Sequence, residues 1–120
     1  MHATVFSARP TDTPSVDHPK PERLITGNPR RETWNRIDTP LGAAKSFYSG
    51  IWRSEIGKWN IAMAADEQEI FTVAAGRCRV HSPDGSFVEA SAGDTVHIPA
   101  GFAGAFEVME AVTKVYVIVE

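Results

Sequence analysis

Cysteine is almost missing from this chain: Cys78 stands alone among 120 residues. One thiol cannot close an intrachain disulfide or build a cysteine-based zinc site. A solitary cysteine in strand-like sequence reads as a small buried apolar side chain rather than a reactive thiol. A basic excess is missing too. Twelve Lys and Arg face 15 Asp and Glu, for a net charge of −3 and a pI near 5.8. That removes the electrostatic footprint of a nucleic-acid binder, so no nucleic-acid partner is expected. Residues 1–40 hold six basic and five acidic side chains, and residues 41–120 hold six and ten. The acidic surplus therefore lies in the later part of the chain. No hydrophobic run approaches a membrane span, and the opening MHATVFSARPTDTP lacks the apolar core of a signal peptide. No membrane partner is expected, and the cytoplasm is the expected compartment.

Proline is plentiful, but only early. Six of the eight prolines (Pro10, Pro14, Pro19, Pro21, Pro29 and Pro40) fall in the first 40 residues. Each fixes its own φ, removes a donor and disfavours helix in the residue before it. Residues 1–33 are therefore expected to form an extended arm. It either lies on the domain, with Val5, Phe6, Leu24 and Ile25 as anchors, or is partly mobile. Residues 34–120 are expected to form the folded domain; at 13.1 kDa the chain has material for a single core.

From Trp34 onward the texture is that of an all-β protein. KSFYSGIWRSEIG, KWNIAMA, IFTVAAG, RCRVHS, SFVEA, DTVHIP, GAFEV and VTKVYVIVE are short runs rich in β-branched and aromatic residues. Pro83-Asp84-Gly85 offers a preset φ, a side-chain cap and a residue free to take positive φ, which predicts a tight hairpin turn. Ser91 to Asp94 predicts a second turn. No long segment keeps a helical apolar period. Alternation assigns faces: Trp59, Ile61, Met63 and Ala65 share one side, and Glu69, Phe71, Val73 and Ala75 share another. Glu69 is the odd member, a carboxylate in line with core residues.

Two spaced motifs then become visible. Gly57 and Gly76 bracket Glu69 in GKWNIAMAADEQEIFTVAAG, and Gly93 precedes Pro99-Ala100-Gly101 in GDTVHIPAGFAGAFEVMEAVTKVYVI. Over about residues 48–120 the sequence resembles the cupin superfamily, and in its C-terminal run the small single-domain branch of ureidoglycine aminohydrolase-like cupins. The resemblance implies a conical jelly-roll β-barrel (a double-stranded β-helix), and a homodimer paired through one sheet. The run VYVIVE, whose edges would need cover, adds to that expectation of a dimer. The resemblance also implies a metal held by three His and one Glu. Here the two first-motif His positions hold Met63 and Ala65, and the second-motif His position holds Gly104. The following Asn position holds Val108. Only Glu69 remains, and one carboxylate cannot hold a divalent metal against water. No metal or other cofactor is therefore expected. Histidines placed at positions 63, 65 and 104 are expected to recreate the metal site.

What is left is a barrel interior with its imidazoles removed. Trp59, Ile61, Met63, Ala65, Phe71, Gly104 and Phe106 are expected around it, with Glu69 as the polar group. Either the large side chains fill the space or they wall a mostly apolar pocket for a small molecule. An inward Glu69 needs compensation. The Trp59 indole N–H, a retained proton, or a cationic or hydrogen-bonding ligand would supply it. With no metal or histidine beside it, Glu69 is expected to be unpartnered, and Glu69→Gln to be almost neutral or mildly stabilising. Lys114 is expected to pair with Glu110, and His81 and His97 to be surface or satisfied residues. Three functions remain open: small-molecule binding, an enzyme using Glu69 as general acid or base or a relocated metal, and an interaction scaffold.

Overall fold

The computed structural model describes residues 1–120 as nine strands and one 3-10 turn, Pro21–Arg23. The strands are β1 (Ser15–Asp17), β2 (Leu24–Thr26), β3 (Arg31–Pro40), β4 (Ser46–Ser54), β5 (Gly57–Ala62), β6 (Gln68–His81), β7 (Phe87–Ser91), β8 (Thr95–Ile98) and β9 (Ala103–Val119). Every pairing between them is antiparallel. The sheet curls into the jelly-roll barrel that the cupin resemblance implied.

β9 and β6 form its spine. β6 lies along one side of β9 from Gln68↔Val119 to His81↔Ala105. The other side of β9 is shared: β5 pairs with Ala103–Val108 and β4 with Val112–Val119. The run VYVIVE is therefore interior to the sheet, flanked by β4 and β6, and needs no cover from a second copy. Beyond β6 the sheet divides, with β8 pairing Glu69–Thr72 and β7 pairing Arg77–His81.

IFTVAAG and RCRVHS read as separate runs, yet they are one strand. The register of β6 against β9 shifts three times between Val73 and Cys78, and Gly76 takes a φ of +82°. A Cβ at Gly76 would lie 2.0 Å from the Ala111 carbonyl oxygen, so only glycine lets the two backbones approach this closely. Bulges of this kind bend a strand and re-aim its side chains. The inward face accordingly changes phase: Glu69, Phe71 and Val73 are buried, Ala75 is exposed, and Cys78 and Val80 are buried again.

The two predicted turns are present. Ser82 N–H donates to the Ser86 carbonyl while Asp84 accepts from the Ser86 N–H at 2.9 Å, with Gly85 at φ +90°. Asp94 caps the second by accepting from the Ser91 N–H at 2.9 Å.

The proline-rich segment lies on the barrel, and residue 33 falls inside β3. β1 pairs with the start of β3 and β2 pairs with β5. Of the expected apolar anchors Phe6 and Leu24 are half-buried, and polar contacts add to them. Val5 and Ile25 are exposed, whereas Asp12 accepts two bonds from the Arg36 guanidinium at 2.7 and 2.8 Å. The Trp34 indole N–H donates to the Asp12 carbonyl at 2.8 Å, and Asp17 is doubly bonded by Arg31 at 2.8 and 2.9 Å. Pro29 is fully buried against Gly57, where an added Cβ would meet its ring at 2.6 Å.

Candidate functional site

The barrel opens into a cavity of about 460 Å³, within the range of small-molecule sites. Alternation on the strands around it aims the lining inward. β4 supplies Tyr48 and Trp52, and β5 supplies Trp59 and Ile61. β9 supplies Phe106, Lys114, Tyr116 and Ile118; β3 supplies Arg31, Thr33 and Asn35. Met63, Glu69 and Ile98 complete the wall.

The aromatic side chains form one cluster. Trp59 stacks on Phe106 at 5.4 Å between centroids, Trp52 meets Phe106 edge-on at 5.6 Å, and Phe71 lies 5.9 Å from Phe106. Stacked and edge-to-face contacts of this kind add to the stabilisation from burial alone.

At the centre stands an ion pair rather than a lone carboxylate. Lys114 Nζ donates to Glu69 Oε2 at 2.7 Å, with both side chains about nine-tenths buried (9% and 10% exposed). The register brings them together: Lys114 lies opposite Val73, and Glu69 opposite Ile118, on adjoining strands of the spine. The ammonium also sits over three rings, 4.4 Å from Phe71, 4.5 Å from Trp52 and 5.1 Å from Phe106. Cation–π attraction and the Glu69 charge together replace the water the ammonium has lost. Glu110, the partner expected for Lys114, is instead bonded to Arg77 at 3.3 Å. Nor does Glu69 rely on the Trp59 indole.

Two other polar groups are settled within the wall. The Tyr116 hydroxyl donates to Asn35 Oδ1 at 2.7 Å. Burial, with the nearby Glu69 charge adding to it, pushes that phenol up to about 12. No buried side-chain nitrogen or oxygen lacks a hydrogen-bond partner. Cys78 is fully buried in the core, and burial pushes its thiol up to about 11.

The residues present do not fit the metal that the cupin resemblance implies. Glu69 already carries an ammonium, and no three His, Cys, Asp or Glu side chains converge anywhere in the chain. Two of the vacated ligand positions are also unsuitable for histidine. β5 ends at Ala62, so Ala65 is exposed and outside the cavity wall. Gly104 packs its backbone on β6, where a Cβ would lie 2.0 Å from the His81 carbonyl oxygen. Restoring histidines at 63, 65 and 104 would therefore not rebuild the site. His81 and His97 stand elsewhere, half-buried against Glu107 at 2.8 Å and exposed against Gln68 at 3.0 Å.

Of the side chains expected around the interior, Trp59, Ile61, Met63, Glu69 and Phe106 line the cavity. Phe71 lies behind it in the core as a support for Lys114, while Ala65 and Gly104 are outside it. Sequence reasoning missed Trp52 and Tyr48, although the alternation in KSFYSGIWRS places them on one face. It also missed Arg31, Thr33 and Asn35, which carry no local signal.

A family model described as the EutQ-like cupin domain matches residues 41–116. Among solved structures, the Clostridium difficile EutQ protein is 26% identical with a TM-score of 0.63, over 80% of this chain and 74% of that one. A protein of unknown function from Pseudomonas syringae pv. tomato str. DC3000 is 22% identical with a TM-score of 0.79. The match covers 94% of this chain but only 46% of that one. A putative ethanolamine utilization protein q from Salmonella typhimurium LT2 is 18% identical with a TM-score of 0.63, over 91% and 97% of the two chains. At that identity the last two likenesses concern the fold alone. No curated protein matches the chain.

Proposed function

The chain belongs to the EutQ-like cupin domain family, and from that premise we propose that it binds a small, mostly apolar organic molecule inside its barrel. The observation that carries this reading is the open, aromatic-walled cavity of about 460 Å³ whose central charges already neutralise each other. A solidly filled barrel would leave no such volume. The reading is one of binding rather than turnover, because Glu69, the candidate general acid or base, is committed to Lys114. The finer resemblance to ureidoglycine aminohydrolase-like cupins rests on the C-terminal run and brings no aminohydrolase chemistry, since the ligands that chemistry needs are absent. The name of the Salmonella relative raises ethanolamine as a ligand. Its ammonium would have to displace Lys114 from Glu69, so a neutral apolar body suits this cavity better.

Calorimetric titration with phenylbutyramide, a neutral probe with an aromatic body, tests the reading, with quenching of Trp52 and Trp59 fluorescence as a second signal. Met63 is half-buried just beyond β5, so Met63→Trp fills the cavity at little cost to the fold. The expected result is saturable binding to the natural protein, weakened at least tenfold in Met63→Trp with the unfolding transition unchanged. Absence of binding, or equal binding to both proteins, overturns it.

A further inference from the structure

The mouth of the barrel differs in charge from its interior. A second cavity, of about 310 Å³, adjoins the first across Arg31, Trp59, Ile61 and Met63, which line both. Its outer wall is Lys20 and Arg23, brought there by the 3-10 turn Pro21–Arg23 that packs on β5. Three cations and one carboxylate, Glu67, line this space. Arg31 is neutralised by Asp17, while Glu67, which accepts from the Ala64 N–H at 3.0 Å, keeps its charge and leaves the space with one cation in excess. Lys20 and Arg23 form no ion pair. The guanidinium of Arg23 makes one long bond, 3.5 Å, to the Asn60 carbonyl, and the Lys20 ammonium makes none. In a chain of net charge −3, two unpaired cations therefore stand at the opening of an apolar cavity.

We infer that the natural ligand is an organic anion whose apolar body lies among the barrel rings and whose charged group rests at the mouth against Lys20 and Arg23. This deepens the binding reading above and depends on it. The geometry divides the work. Trp52, Trp59 and Phe106 offer area to an apolar or aromatic body, and the interior has no free charge to pair with a buried anion. An acid group left at the mouth keeps part of its hydration and gains charge-assisted hydrogen bonds from donors not otherwise engaged. A carboxylate is the simplest such group. The role also accounts for the proline-rich segment: its clamps at Asp12, Asp17 and Pro29 hold Lys20 and Arg23 over the opening.

The matched pair phenylbutyrate and phenylbutyramide tests this, since they share a body and differ in charge. Calorimetry on the full chain is expected to show phenylbutyrate binding about tenfold tighter than the amide. In Lys20→Glu/Arg23→Glu that preference should vanish or reverse. High salt should erode the preference in the natural protein, because the pairing is partly exposed. If the amide binds and the carboxylate binds no better, the anion inference is wrong and the barrel reading stands. A preference that survives the double charge reversal also overturns it, by assigning recognition elsewhere. If neither probe binds, the barrel reading fails and this inference fails with it.

Discussion

Removing either half of the Glu69–Lys114 pair should be among the most damaging single changes in this protein. Lys114→Met leaves Glu69, which is 8% exposed, without its counter-charge. Glu69→Leu strands the ammonium instead. Breaking a buried pair from one side costs roughly 3–5 kcal/mol, because an uncompensated charge stays behind. For 120 residues at about 2 cal/mol/K each, a loss of about 3 kcal/mol lowers the melting temperature by roughly 12 °C. Replacing both partners removes both charges. Glu69→Leu/Lys114→Met should then be more stable than either single variant, with a coupling energy above about 1.5 kcal/mol. Glu69→Gln, almost neutral for an unpartnered carboxylate, is destabilising here because the amide leaves the ammonium without its counter-charge. Urea unfolding at pH 7, followed by circular dichroism and tryptophan fluorescence, measures all four. Near-neutral single variants, or strict additivity in the double, would show that the pair is loose and hydrated.

Three further outcomes follow from the same physics. Cys78, fully buried with its thiol pushed up to about 11, should resist alkylation at pH 8 until urea unfolds the chain; prompt native labelling would mean the spine opens at that point. The Arg36 guanidinium lowers the Asp12 carboxyl to about 2 from an ordinary 3.8. A depressed folded value means the clamp stabilises the fold above pH 3.8 and is lost as pH falls through 2, so the Trp34 indole N–H resonance should shift with a midpoint near 2 and not near 3.8. Gly76 and Gly85 share positive φ, but only Gly76 has a carbonyl oxygen where a Cβ would go. Gly85→Ala should therefore cost roughly 1 kcal/mol, for the backbone alone. Gly76→Ala should cost clearly more, and equal losses in urea unfolding would refute the close approach.

What the sequence discloses here is mostly local. The turns at Pro83–Gly85 and Ser91–Asp94 are written in adjacent residues, and the inward faces of Trp59, Ile61, Glu69 and Phe71 follow from alternation. Partners across the sheet are not written that way. Lys114 and Tyr116 alternate visibly on one face, but only the register of β9 against β6 brings Lys114 to Glu69 rather than to the nearby Glu110. The continuity of β6 was hidden because Gly76 looks like a strand end and acts as a bulge within one. The first 33 residues read as an arm because their anchors are scattered and their partners distant, and an Asp12–Arg36 contact leaves no periodic trace.

The position of β9 also bears on how the protein is made. It is the last of the nine strands to leave the ribosome, and it is the partner that β4, β5 and β6 all require. Until it emerges, Phe47 has no Val119 opposite it and Gln68 has none either. The nascent chain then carries three strands with open edges, held only by the pairings β3–β4, β2–β5, β6–β7 and β6–β8. Pairings this distant in sequence slow folding, and exposed strand edges invite association with other chains. Synthesis of this barrel is therefore a period of waiting, in which three strand edges stay open until the ninth strand can be zipped into place.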